Sequence, residues 1–133
     1  MMGTGVDLCA QARIETVLGR YGMRFCQRIC TPDEISFAEQ NPLRRVARYS
    51  QFFAAKEACS KALGTGIRQG VFWRDMEMVP LASGKPTMRL HHGALQRMQS
   101  LTPANAKPAI ELSLSDEAGL TIAFVVLYYE PKL

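Results

Sequence analysis

The sequence predicts an α+β fold, an antiparallel sheet packed against helices that include one long central helix. Three observations carry this prediction. Helix start signals and 3.6-residue apolar spacing gather in the first half of the chain. Strand-like segments gather mainly in the second half. Between the last two of these lies Asp116-Glu117-Ala118-Gly119, a turn that pairs its flanks as an antiparallel hairpin.

Taken in order, Gly-Thr-Gly-Val-Asp-Leu-Cys over 3–9 reads as a short strand, with turn residues ahead of an apolar stretch. A helix over about 10–20 follows, and Gly22 separates it from a second helical piece over 23–29. Thr31-Pro32-Asp33-Glu34 has the form of a helix start, with an N-cap Thr, Pro in the first position and acids in the first turn. That helix runs to about Gln40 and stops near Asn41-Pro42. The longest helix is predicted over 43–63, with Val46, Tyr49, Phe52, Phe53, Cys59 and Leu63 on its apolar side. Gly64 suits a left-handed stop just past its end. Strands over 75–79 and 87–90 flank a turn at Ser83-Gly84-Lys85-Pro86, a helix over 92–101 ends at Thr102-Pro103, and strands over 109–115 and 120–129 close the chain.

Composition narrows the class. With 47% apolar and 21% charged residues, the 133-residue chain is too apolar for a disordered protein and too charged for a membrane one. A domain of this length buries about two-thirds of its unfolded surface, so neither metal nor disulfide is required for a core. No repeat or linker divides the chain, which reads as one domain over 1–133. The longest apolar run, residues 122–127, is far short of a membrane span, and the N-terminus lacks a basic, then apolar, export signal. The expectation is a cytoplasmic protein whose four cysteines are reduced core thiols. Cys26 and Cys30 lie one helical turn apart, but the two histidines, His91 and His92, are adjacent, which suits a tetrahedral zinc site poorly.

Sixteen basic against twelve acidic side chains leave a net charge of +4, which favours an acidic partner. Arg13, Arg20, Arg24, Arg28, Arg44, Arg45 and Arg48 all fall in the first 50 residues. Arg20, Arg24 and Arg28 are four apart and would form one stripe on a continuous helix. That stripe fits either a solvated face or a docking surface for something negatively charged.

Two carboxylates stand where structure alone would place apolar groups. Asp7 lies inside Val-Asp-Leu in the first strand, and an acid there is costly unless paired or bound to a cation. Glu57 follows Phe53 by four residues and shares its helix face, which predicts a partly buried carboxylate. The bland reading of Glu57 is an ion pair with Lys61, one turn on. The sharper reading joins Glu57, Ser60 and Lys61 on one face with the Gly64-Thr65-Gly66 loop. Hard oxygens for Mg²⁺, a cation for phosphate and glycine for close approach are the parts that hold a metal-bound pyrophosphate. One or two carboxylates are enough for Mg²⁺, so Asp7 and Glu57 would suffice.

Gly5-Val-Asp-Leu with Arg13-Ile-Glu, Arg24-Phe-x-x-Arg-Ile, Phe53-Ala-Ala-Lys-Glu-Ala-x-Ser-Lys-Ala-Leu-Gly-Thr-Gly-Ile and Gly84-Lys-Pro resemble the holo-[acyl-carrier-protein] synthase family. The order and spacing match over nearly the whole chain. The resemblance implies the 4′-phosphopantetheinyl transferase fold and a Mg²⁺-dependent transfer. The 4′-phosphopantetheine arm of coenzyme A moves to a serine of apo-acyl-carrier protein, in support of fatty-acid biosynthesis. It further implies Asp7 and Glu57 as metal ligands, and Lys61 as the pyrophosphate contact and third catalytic residue. Lys85 with Gly64, Thr65 and Gly66 become coenzyme contacts. Arg13, Arg24 and Arg28, with Phe25 as apolar anchor, become the face that docks the acidic carrier protein. A homotrimer with active sites between subunits is implied too, without nucleic-acid or membrane partners.

Three positions depart from the family pattern: Phe52 where many relatives carry arginine, Gln11 where some have glutamate, and Asp116 in place of a histidine. Arg44, Arg45 and Arg48 are candidate substitutes for the missing arginine. The departures also admit a catalytically impaired paralogue that still docks carrier protein. A small basic RNA-binding module is the other alternative, but its sheet would need aromatic residues for stacking bases, and Trp73, Tyr128 and Tyr129 are too scattered.

Overall fold

A computed structural model describes residues 2–133 of the chain. Strand β1 (Gly3–Ala10) leads into helices α1 (Gln11–Tyr21), α2 (Met23–Ile29), α3 (Pro32–Glu39) and α4 (Arg45–Ala62). Strands β2 (Met76–Pro80) and β3 (Pro86–Leu90), helix α5 (His92–Leu101) and strands β4 (Ala106–Glu117) and β5 (Leu120–Pro131) complete it. One 3-10 turn, Pro42–Arg44, leads into α4, and another, Trp73–Asp75, leads into β2. The predicted α+β class and every predicted element are present. The long helix begins two residues late because Asn41 caps the short Pro42–Arg44 turn through a bond from the Leu43 amide.

Local chemistry explains the breaks. Gly22 adopts φ +57°, a conformation that interrupts the helix between Tyr21 and Met23 and separates α1 from α2. Thr31 caps α3: its hydroxyl accepts from the Glu34 amide and its own amide donates to Glu34 Oε1 at 2.9 Å. The closing hairpin is tighter than predicted. Glu117 pairs with Leu120, leaving a two-residue turn at Ala118-Gly119 with both φ values positive.

The sheet is in two parts, β1-β5-β4 and β2-β3, all pairs antiparallel. Alternation along β1 and β5 gives the larger sheet two unlike faces. Gly5, Cys9, Thr121, Ala123, Val125 and Leu127 are buried on the side that packs on α4. Val6 opposite Phe124 and Leu8 opposite Ile122 lie on the other face, each more than 40% exposed. Helix α4 is buried nearly all round, with Tyr49, Phe52, Ala54, Ala55, Ala58 and Cys59 in the core. Phe53 and Val46, predicted on its apolar side, are only half-buried.

Among the described residues no helix is long and apolar enough to cross a membrane. All four cysteines are free and buried.

Candidate active site

The site begins with two glycines. A Cβ at Gly5 would overlap the carbonyl oxygen of Ala58, and one at Gly3 that of Ala62. Lacking side chains, β1 lies directly against the α4 backbone. Asp7, two residues beyond Gly5 on the same face, therefore comes down beside the turn of α4 that carries Glu57, Ala58 and Lys61. Asp7 and Glu57 face one another closely enough to act as like charges. Burial first, and the Asp7 charge second, push the Glu57 carboxyl above the usual carboxylate range, while Lys61 and Arg13 pull it back. Cys9, next on that face, has its thiol pushed up by burial and by both acids.

Lys61 completes this cluster, but not as the intrahelical pair predicted as the bland reading. Its Nζ lies 3.3 Å from Asp7 Oδ1 and donates to the Val6 carbonyl at 2.9 Å. The strand, not the next helical turn, supplies its partner. Half of the Lys61 side chain is exposed, whereas that of Asp7 is 15% exposed. Ser60 does not share the open face. It is buried, and its hydroxyl donates to the Glu57 carbonyl at 2.8 Å.

The loop after α4 closes the helix. Gly64 at φ +79° donates to the Lys61 carbonyl, and the Thr65 and Gly66 amides both donate to the Ser60 carbonyl. Those amides are engaged, so the loop offers bare backbone surface rather than a ring of free donors. Thr65 is buried, its hydroxyl 2.8 Å from the Gly66 carbonyl.

Lys85 stands apart. It sits in the β2–β3 turn, and its Nζ lies 3.1 Å from Glu111 of β4. In the order β1-β5-β4 this is the opposite edge of the sheet from Asp7 and Lys61. Gly84 and Pro86, on either side of Lys85, line a cavity of about 390 Å³ with Phe52, Met78, Val79 and Leu114.

The arginines divide. Arg24, Phe25 and Arg28 line a groove of about 430 Å³ with Val17 and Tyr21. Arg20 is not in line with them, because Gly22 breaks the helix, and its guanidinium lies over Tyr21. Arg13 sits over the Phe53 ring, 5.4 Å from its centroid, on the Glu57 side.

The departures have partners as well. Phe52 is buried edge-on to Tyr49 at 6.3 Å, and Asp116 accepts from Thr121 at 2.6 Å and Gln51 at 2.7 Å. Gln11 donates to Thr121 at 3.3 Å. Arg45 pairs with Glu39 at 2.8 Å and Arg48 covers Phe37, whereas Arg44 makes no ion pair or side-chain hydrogen bond among the described residues.

Sequence reasoning missed Lys56. Its fully buried Nζ donates to Glu34 at 2.8 Å and to the Met76 and Trp73 carbonyls at 2.6 and 3.1 Å. The only signal was the Thr31–Glu34 capping box, which reveals nothing of a lysine 22 residues on.

Known proteins resemble this chain in sequence and in fold. A holo-[acyl-carrier-protein] synthase of Xanthobacter autotrophicus is 49% identical over 132 residues, covering 99% of this chain and 97% of that one. One of Mesorhizobium japonicum is 51% identical over 127 residues, covering 96% and 92%. The crystal structure of the Neisseria meningitidis holo-[acyl-carrier-protein] synthase superposes with a TM-score of 0.83 at 34% identity, covering 96% of this chain and 98% of that one. That of the Helicobacter pylori synthase, in complex with coenzyme A, gives 0.78 at 31%, covering 94% and 99%. The family model for the 4′-phosphopantetheinyl transferase superfamily matches residues 3–123. With the match running from the first strand through the central helix into the last strand, the chain belongs to the 4′-phosphopantetheinyl transferase superfamily.

Proposed function

We propose that this chain moves the 4′-phosphopantetheine arm of coenzyme A onto a serine hydroxyl of an apo-acyl-carrier protein and releases adenosine 3′,5′-bisphosphate. The observation that carries the reading is the meeting of Asp7, Glu57 and Lys61 where β1 lies on α4, in a chain of this superfamily. The serine oxygen gives up its proton, which is released to the medium, and bonds to the phosphorus that bears pantetheine, while the bond from that phosphorus to the bridging oxygen breaks. The bisphosphate leaves with the electron pair.

Two half-buried carboxylates that repel one another form a hard-oxygen donor set suited to a divalent cation, and Mg²⁺ is the ion the chemistry calls for. Asp7 and Glu57 would hold it, and it would supply charge neutralisation along the diphosphate. Lys61, half exposed beside Asp7, reaches the negative charge that builds on the leaving group. Arg24 and Arg28, with Phe25 between them in one groove, offer an acidic carrier protein charge and an apolar anchor.

Oligomerisation supports the coenzyme contacts. Val6, Leu8, Ile122 and Phe124 form an exposed apolar sheet face that favours cover by other copies of the chain. Lys85 and its neighbouring cavity lie at the sheet edge opposite Asp7, so a homotrimer would let one subunit's cavity serve the next subunit's carboxylates. Four free buried thiols fit the reducing cytoplasm, where holo-carrier protein supplies fatty-acid synthesis.

The test is the mass of an apo-carrier protein incubated with the chain, coenzyme A and Mg²⁺. A gain of one phosphopantetheine arm is expected. No gain with any divalent cation, while a known synthase modifies the same sample, overturns the reading. Asp7→Ala and Glu57→Ala should each slow transfer about 100-fold or more with unchanged circular dichroism.

A further inference from the structure

Trp73 is the chain's one tryptophan, and none of the roles above uses it. It lies in the 3-10 turn before β2, and its indole stacks on Phe53 with centroids 5.2 Å apart and planes 26° from parallel. Phe53 in turn carries the Arg13 guanidinium, 5.4 Å from its centroid. The backbone that holds the indole is itself anchored, because buried Lys56 donates to the Trp73 and Met76 carbonyls.

Phe53 and Glu57 are one helical turn apart and share a side of α4. A guanidinium resting on Phe53 therefore lies beside the Glu57 carboxylate, whose ionised form it favours. Arg13 is exposed on α1, where an unconfined arginine would spread over many rotamers. A planar guanidinium on an aromatic face is restricted to one region while its N–H groups stay free at the edge.

We propose that Trp73 is a positioning residue: through Phe53 it holds the Arg13 guanidinium at the seam between the carboxylate pair and the groove of Arg24, Phe25 and Arg28. An acidic carrier protein bringing its serine towards Glu57 crosses that seam. The assignment rests on the transferase reading and adds to it which residues aim the docked partner. Arg13 belongs to this seam rather than to the groove.

The test is steady-state transfer by the intact chain, with apo-carrier protein and coenzyme A varied in turn. Trp73→Leu should raise KM for carrier protein about fivefold and leave KM for coenzyme A unchanged. Trp73→Phe, which keeps a ring for stacking, should restore the carrier KM. The double variant Trp73→Leu with Arg13→Ala should be no worse than Arg13→Ala alone, since both act through one guanidinium.

A carrier KM within twofold of wild type for Trp73→Leu overturns the proposal, and so does a double variant whose two penalties multiply. Equal losses towards carrier and coenzyme with an early melt would make Trp73 ordinary packing and also overturn it. Should Trp73→Leu not fold, Phe53→Leu carries the same test. It should show the same carrier-selective loss, with a red-shifted Trp73 emission as the indole loses its partner; an unchanged carrier KM overturns the proposal. A wild-type chain that transfers nothing removes the transferase reading and this role with it, whereas an active wild type with an indifferent Trp73→Leu removes this role alone.

Discussion

Lys56 takes an amine into the core, where three acceptors within 3.1 Å surround it and Glu34 is one of them. Glu34 is equally buried and also accepts from the Thr31 and Met78 amides. Removing one partner of such a pair strands the other charge. Lys56→Met should therefore cost about 3–5 kcal/mol in urea unfolding. Adding Glu34→Leu should recover only part of that, because two backbone amides lose their acceptor. A single-variant loss below about 1 kcal/mol would show that the pair does not anchor the turn before β2. From the sequence, Lys56 reads as one more charge on a helix. Its burial follows from which strand and turn pack over it, and helical spacing carries no record of that. Lys61 teaches the same lesson in reverse, since its nearest acid is Asp7 on a strand 54 residues away and not Glu57 one turn back.

At the scale of elements, β1 on α4 is the decisive contact. Gly5→Ala places a methyl against the Ala58 carbonyl, an overpacking that costs about 1–3 kcal/mol and lifts Asp7 away from Glu57. Thermal melting and the mass assay together check it: both stability and transfer should fall, and a variant of native stability and rate would deny the close packing. The β2–α3 junction makes a pH-dependent contribution. Burial opposes ionisation of Glu77, but hydrogen bonds from His91 at 3.0 Å and Thr31 at 2.9 Å outweigh it and hold its carboxyl below the usual carboxylate range. An acid held low in the folded state adds stability above its unfolded value and loses it as pH falls through the folded one. Glu77→Gln should cost about 1–2 kcal/mol at pH 7, and that cost should shrink as pH falls through and below the usual carboxylate range. A penalty that stays constant as the pH is lowered would show that charge is not involved. The elements themselves were legible: capping at Thr31, the break at Gly22 and the stop at Gly64 all follow from side-chain chemistry read locally.

For the whole molecule, the two unlike faces of the larger sheet are what the proposed homotrimer rests on. Phe124 is 43% exposed opposite Val6, at the centre of the apolar outer face. On the proposed homotrimer, Phe124→Arg should give monomers by light scattering and slow transfer about tenfold or more, because the Lys85 cavity of one subunit would no longer meet the carboxylates of the next. A monomeric wild type, or a monomeric variant with full rate, would refute the shared site. The residues of this face alternate with core residues along β1 and β5, so the apolar run 122–127 looks uniform in sequence and divides only in the folded sheet.

The sequence by itself determined the class of fold, the order of its elements and the motif that carries the family likeness, because periodicity, capping and turn chemistry act between residues a few positions apart. Only the tertiary structure decided which groups meet. It moved Lys61 onto Asp7, buried Lys56 against Glu34, and set Lys85 two strands away from Asp7. Each of those outcomes depends on backbone direction and on the packing of elements distant in the chain, and no local spacing encodes them.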